Sequence, residues 1–219
     1  MFKNIISTIF IFFIFTPLVL AAENKNVKPV AELLAELRGN YANVQDYSAT
    51  MRLESFESEY RLQKQKMWFK KPGYLRLSQL GPFKKGAGLI IRPDGTIKGH
   101  LGGFLSFAKV SLDKDDENMF GVTNDSALNT DYDKILDIAV SMLDRVKTFS
   151  IATEMVNNKK QLVLDTTYDQ KFDRYRLIVD PEKMLITGLE RYSKGKLIHK
   201  IAWFNIQTNI NISTEKFKF

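Results

Sequence analysis

The chain has 219 residues, with 32 Lys and Arg against 25 Asp and Glu for a formal net charge of +7, and no cysteine. Disulfides and thiol chemistry are therefore excluded, and with His100 and His199 as the only histidines the chain has little material for a zinc site. A chain of this length can bury an adequate core without crosslinks.

The first segment, "MFKNIISTIFIFFIFTPLVLAA", has Lys3, then an apolar run from Ile5 to Leu20 broken only by Ser7, Thr8, Thr16 and Pro17. It ends with Val19 and Ala21 in the small-residue places of a cleavage site. This layout predicts a cleaved secretory signal over 1–21 and a single mature domain over 22–219 in the periplasm. Loss of Lys3 with the leader leaves 7 − 1 = +6. An exported protein does not meet nucleic acid, so the basic balance points to anionic headgroups, acidic partners or solubility.

"VKPVAELLAELRGNYANVQ" places Val30, Leu33, Leu34, Leu37, Tyr41 and Val44 on one helical stripe. The period then changes to two. "YSATMRLESFES", "YRLQKQKMWFKK", "YLRLSQL", "GAGLIIRP", "TIKGHLG" and "FLSFAKVSL" read as strands, with "PDG" as a hairpin turn. "DKDDENMFGVTNDSALNT" is polar and aperiodic, which predicts a solvated loop able to act as a hinge. "DYDKILDIAVSMLDRVK" is a second helix, apolar over a wide arc, with Thr130 and Asp133 as its expected cap. From Phe149 onward "FSIATEMV", "KQLVLDTTY", "RYRLIVDP", "MLITGLERYS", "LIHKIAWFNIQ" and "INISTEKFKF" return to strands.

The order helix, about six strands, helix, about five or six strands predicts an α+β fold. Twist accumulates in an antiparallel sheet of this size. Two helices cannot cover both of its faces. The expected form is a strongly curved antiparallel sheet, an incomplete and half-open β-barrel, with the helices as a lid on its concave side.

No catalytic residues, metal or cofactor are expected. "GFLSF" around Ser106 lacks the second glycine of a nucleophile elbow. The acidic run Asp113, Asp115, Asp116 and Glu117 lacks the glycine and ligand spacing of a calcium loop.

Three pieces of the chain resemble the outer-membrane lipoprotein carrier family, the LolA/LolB-like superfamily of lipoprotein-sorting proteins. They are the first helix leading into "VQDYSATMRL", the run Trp68, Phe69, Lys71, Pro72, Gly73, Tyr74, Leu75, Arg76, and the tail "VDPEKMLITGLERYSKGKLIHKIAWFNIQTNINISTEKFKF". In the tail, Asn205 or Asn209 lies near the family's recurring asparagine and Phe217 near its closing phenylalanine. The family carries an arginine where this chain has Lys71, and lysine does not reproduce arginine's planar two-pronged contacts.

The resemblance implies a monomeric periplasmic carrier of lipoprotein acyl chains or another lipid, taking cargo from an inner-membrane donor complex toward an outer-membrane acceptor. A lipid- or lipoprotein-sensing module is the alternative on the same fold. Expected cavity residues are Met67, Trp68, Phe69, Leu75, Leu77, Leu89 and Ile91. Ile135, Ile138 and Met142 are expected on the lid, and Lys71 and Arg76 as candidate latch residues. On β-strand alternation Met67 and Phe69 oppose Trp68, and the sequence leaves open which of them faces inward.

Overall fold

The computed structural model describes residues 30–103, 107–142, 146–168 and 173–219. The expected leader and Ser106 lie outside the described residues. No helix among the described residues is long and apolar enough to cross a membrane.

The first helix, α1, spans Val30–Ala42 and buries Val30, Leu33, Leu34, Leu37 and Tyr41, the stripe expected from helical periodicity. Six strands follow: β1 (Asp46–Ser55), β2 (Arg61–Lys70), β3 (Tyr74–Pro82), β4 (Gly88–Ile91), β5 (Ile97–His100) and β6 (Lys109–Ser111). The second helix, α2, spans Tyr132–Met142. Then come β7 (Val146–Val156), β8 (Lys159–Tyr168), β9 (Arg174–Asp180), β10 (Leu185–Ser193) and β11 (Lys196–Thr208). "INISTEKFKF" is not a strand as expected: it holds a 3-10 turn at Thr214–Phe217, capped by the Ser213 hydroxyl.

All eleven strands form one antiparallel sheet in the order β6-β5-β4-β3-β2-β1-β11-β10-β9-β8-β7. Each run of strands is a meander, and β1 pairs with β11 in the middle. The sheet is not closed, so the expected open half-barrel with helices is the observed fold. Its two edges are β6 and β7, consecutive in sequence but at opposite ends of the sheet. The chain between them contains α2 and passes over the inner face, which positions everything that follows.

Alternation sorts the side chains. On the helix side, Leu53, Ile201, Leu189, Leu177, Leu164 and Ile151 occupy one cross-strand row from β1 to β7. All belong to or pack against one hydrophobic core. A second, smaller cluster lies on the opposite face, where Ile212 and Phe217 of the tail pack with Ile90, Trp68, Tyr74 and Phe219.

Candidate functional site

The segment expected to be a solvated hinge is a plug. Met119, Val122, Thr123, Ala127 and Thr130 are buried, and the segment is laid on the β2–β3 part of the sheet by side-chain amides. Val122 N–H donates to Gln63 Oε1 at 3.0 Å. Gln63 Nε2 donates to Gln65 Oε1 (2.9 Å) and Gln79 Oε1 (3.1 Å), and Gln79 Nε2 to Gln65 Oε1 (2.8 Å). Gly121 permits this close approach, since a Cβ there would stand 2.8 Å from Gln63 Oε1. Its polar composition is deceptive: Asp113, Asp115 and Glu117 face water, while Asp116 and Ser126 cap short 3-10 turns that turn apolar neighbours inward.

The N-terminal cap of α2 also differs from expectation. Asp131 Oδ1 accepts from Lys134 N–H at 3.0 Å, while Thr130 Oγ1 donates to Ala127 O. Tyr132, the first residue of α2, is buried and anchors the helix by donating to Ile186 O at 3.0 Å. Its ring stacks on Tyr47 (4.9 Å, 21°) and meets Tyr41 edge-on (5.4 Å, 88°), and Tyr47 stacks on Phe69 (5.2 Å). Burial pushes the Tyr132 phenol well above its usual range, so it remains a neutral donor.

Beyond this aromatic block the inner face is not completely filled. A cavity of about 70 Å³ lies between α2 and β1, β8, β9, β10 and β11. Its floor is Met51, Leu53, Leu164, Leu177, Leu189 and Ile201; Ile135, Ile138 and Ala139 of α2 roof it. One end is polar, where Asp125 of the plug meets Arg191 of β10 at 2.8 Å with side chains only 22% and 13% exposed. Thr123 Oγ1 donates to the same carboxylate at 2.8 Å. Trp203 also lines the cavity, and its buried Nε1 has no hydrogen-bond partner among the described residues.

The expected site residues fall into four groups. Ile135 and Ile138 line the cavity, whereas the side chain of Met142 lies outside the described residues. Met67, Phe69, Leu75, Leu77, Leu89 and Ile91 are buried on the inner face, and none of them lines this cavity. Leu77 and Leu89 border a void of only about 30 Å³ against the plug. Trp68 is a correction. It stands on the outer face under the tail, with Lys216 Nζ 4.1 Å from its ring centre.

The two latch candidates separate. Lys71 Nζ donates to Tyr41 O and Ala42 O at 3.0 Å each, satisfying carbonyls at the end of α1. Arg76 is corrected: it donates to Lys216 O (2.8 Å) and holds the tail rather than a helix. The β8–β11 floor is absent from the expected site residues. The signal was present in alternations such as Leu162, Leu164, Thr166 and Tyr175, Leu177, Val179. What local spacing does not contain is the crossing of 112–142, which decides the half that is covered.

No protein-family model and no curated protein matches the sequence. Solved structures do. An uncharacterized conserved protein from Thermus thermophilus is 12% identical over 86% of this chain and 92% of that one, with a TM-score of 0.55. MucB of Pseudomonas aeruginosa, in its complex with MucA, is 16% identical with a TM-score of 0.53. That match covers 86% of this chain but 60% of MucB. A LolA superfamily protein from Nitrosomonas europaea is also similar, at 10% identity over 86% of this chain and 97% of that one, with a TM-score of 0.40. At these identities the likeness is one of fold.

Proposed function

We propose that this is a periplasmic carrier that shelters the acyl chains of a lipoprotein, or of another lipid, between α2 and the β8–β11 floor, and passes them toward the outer membrane. The observation that carries the reading is the cavity itself. It has an apolar floor and roof, a polar end at Asp125 and Arg191, and a roof made by a helix rather than by sheet. Its volume of about 70 Å³ is far below the roughly 300–1,000 Å³ of pockets that enclose a drug-sized ligand. The described state is therefore the closed one, and cargo enters by displacing α2 from apolar surface that acyl chains then cover. Each buried methylene contributes about 0.8 kcal/mol, so partial burial of a chain is enough for useful affinity.

Purification from an envelope extract, with mass spectrometry of what accompanies the protein, tests this. Acylated species are expected, displaceable by a lipopeptide, together with faster hydrogen exchange in Ile135–Ala139 on loading. Absence of any acyl species, with α2 equally protected with and without lipopeptide, overturns the carrier reading.

A sensing module is the second reading, favoured by the similarity to MucB, whose solved structure is a complex with MucA. It predicts that the same experiment returns a protein partner in stoichiometric amount.

A further inference from the structure

The outer face of the sheet carries charges in both halves, but the two are arranged on different principles. Across β11 to β8 the signs alternate and neutralise. Lys200 Nζ meets Glu190 at 3.0 Å, Glu190 meets Arg176 at 2.9 Å, and Arg176 meets Asp165 at 3.4 Å. Arg176 also pairs with Glu154, and Arg174 with Asp165.

On the outer face of β2 to β6 no acid stands among the cations, whereas β1 carries Asp46 and Glu54 beside Arg52. Arg52 and Lys64 stand directly opposite each other on β1 and β2, an arrangement that destabilises a sheet. Lys66 is one position further along the same face, and Lys98 and Lys109 continue it on β5 and β6. Lys64, Lys66, Lys98 and Lys109 make no ion pair among the described residues. Three acids on this side are already engaged. Glu54 binds Arg52 and Tyr60, buried Asp46 accepts the N–H groups of Ile210 and Ile212, and Glu215 pairs with Lys218.

The tail adds to the excess rather than relieving it. It brings Lys216 over Trp68, where Arg76 and Lys66 also face it. Burial first, and repulsion from those two cations second, lower the affinity of the Lys216 ammonium for its proton. Leu80, exposed on β3, lies on the same outer side by alternation.

We propose that the outer face of β1–β6, with Lys64, Lys98 and Lys109 and with Lys66 and Lys216 beside Trp68, is the surface by which this protein lands on an anionic phospholipid bilayer. Six strands spaced about 4.8 Å apart make a face roughly 24 Å wide, which suits an extended plane of headgroups better than a single acidic side chain. An aromatic ring held between ammonium groups is the composition favoured at a lipid–water boundary. This surface is on the opposite side of the sheet from the cavity, so the proposal stands independently of what the cavity carries.

The test is co-sedimentation of the full chain, as the cell exports it, with vesicles of phosphatidylcholine alone or with 30 per cent phosphatidylglycerol. The quantity read is the difference between the two compositions, which removes any composition-independent insertion. Binding is expected with phosphatidylglycerol only, weakening with salt. Lys64→Glu combined with Lys66→Glu should reduce it about tenfold or more. Lys159→Glu combined with Lys183→Glu, the same charge change on the other half of the molecule, should reduce it far less. Equal losses from the two pairs would make the attraction a property of net charge and overturn the proposal. Absence of phosphatidylglycerol-dependent binding at low salt overturns it too, and leaves an acidic protein as the partner of this face. Circular dichroism of both variants keeps a folding defect from being read as either result.

Discussion

The inner face of the β2–β5 half and that of the β8–β11 half follow the same alternation and carry similar apolar side chains, yet the second holds an apolar cavity of about 70 Å³ under a helix and the first a void of about 30 Å³ under the plug. In the first, Met67, Leu75, Leu77 and Leu89 share their space with the amides of Gln63, Gln65 and Gln79, which hold Val122 and its neighbours in place. In the second, Leu164, Leu177, Leu189 and Ile201 face a helix across a gap. The difference is made by the crossing segment. Having left β6, it reaches β7 by laying irregular backbone over one half and a rigid cylinder over the other. Irregular backbone follows a sheet closely when side-chain acceptors are ready for its N–H groups. A helix has spent its own hydrogen bonds and meets the sheet through side chains alone.

The largest expected effect comes from placing the same charge in each half. Leu77→Glu puts a carboxylate into a filled core without a cationic partner, and should cost on the order of 4 kcal/mol or more. Leu189→Glu places it at a half-buried position lining the cavity and should cost about 1–2 kcal/mol, yet abolish uptake of a fluorescent fatty-acid probe. Urea denaturation and probe titration on both variants check this. If the two lose stability and binding in equal proportion, the halves are one core and the comparison breaks.

A smaller effect sharpens the role of the plug. Gln63→Leu removes the acceptor of Val122 N–H and a donor to Gln65 and Gln79 at one stroke. Leaving those groups unsatisfied should cost about 1–3 kcal/mol. Hydrogen exchange should quicken in 119–125 while β8–β11 remains protected, because the two coverings are separate.

Both the fold and its misreadings follow from what periodicity can report. The α1 stripe, the count of strands and the open sheet were legible, since each is written in local spacing. On β2 the inward positions are Gln63, Gln65, Met67 and Phe69, and the outward ones include Leu62 and Trp68, so hydropathy could not choose a face. The choice was made by partners distant in sequence: the plug offered N–H groups to the glutamines, and the tail offered Phe217 and Lys216 to Trp68. The plug itself was illegible for the same reason. Met119, Val122 and Ala127 share no period, and only the sheet beneath them makes one surface of the three.

Acidity should separate the ends of the cavity half. His199 is buried on β11, its Nε2 3.6 Å from Glu57 Oε2. Burial, with the nearby positive charge of Arg191 next, depresses its pKa below the usual value. The folded state therefore binds this proton less readily than the unfolded chain. The stability gained by keeping His199 neutral is complete above about pH 6.5 and is lost as pH falls through the lowered folded value. Denaturation at pH 7.5 and 5.5 should show wild type losing more stability on acidification than His199→Gln. An equal loss in both would place the acid sensitivity elsewhere.

The smallest expected change in stability bears most directly on α2 as a moving roof. Arg38 of α1 meets Asp137 of α2 at 2.8 Å, with the two side chains 51% and 59% exposed. An ion pair so wetted is screened by salt and contributes between nothing and about 1 kcal/mol, so Arg38→Ala should leave the melting temperature almost unchanged. Its kinetic consequence is larger. If α2 must leave the floor for an acyl chain to enter, this pair is a tether that breaks on the way, since Asp137 lies at mid-helix, beyond the Tyr132 anchor at the first residue. Arg38→Ala should then speed loading of a fluorescent fatty acid in stopped flow, and high salt should speed wild type toward the variant. The Gln63 amide of β2 that holds the plug lies outside that path, so Gln63→Leu should not accelerate loading. Were Gln63→Leu to speed it and Arg38→Ala to leave it unchanged, the gate would be the plug, and the filled half rather than the cavity half would be the one that opens.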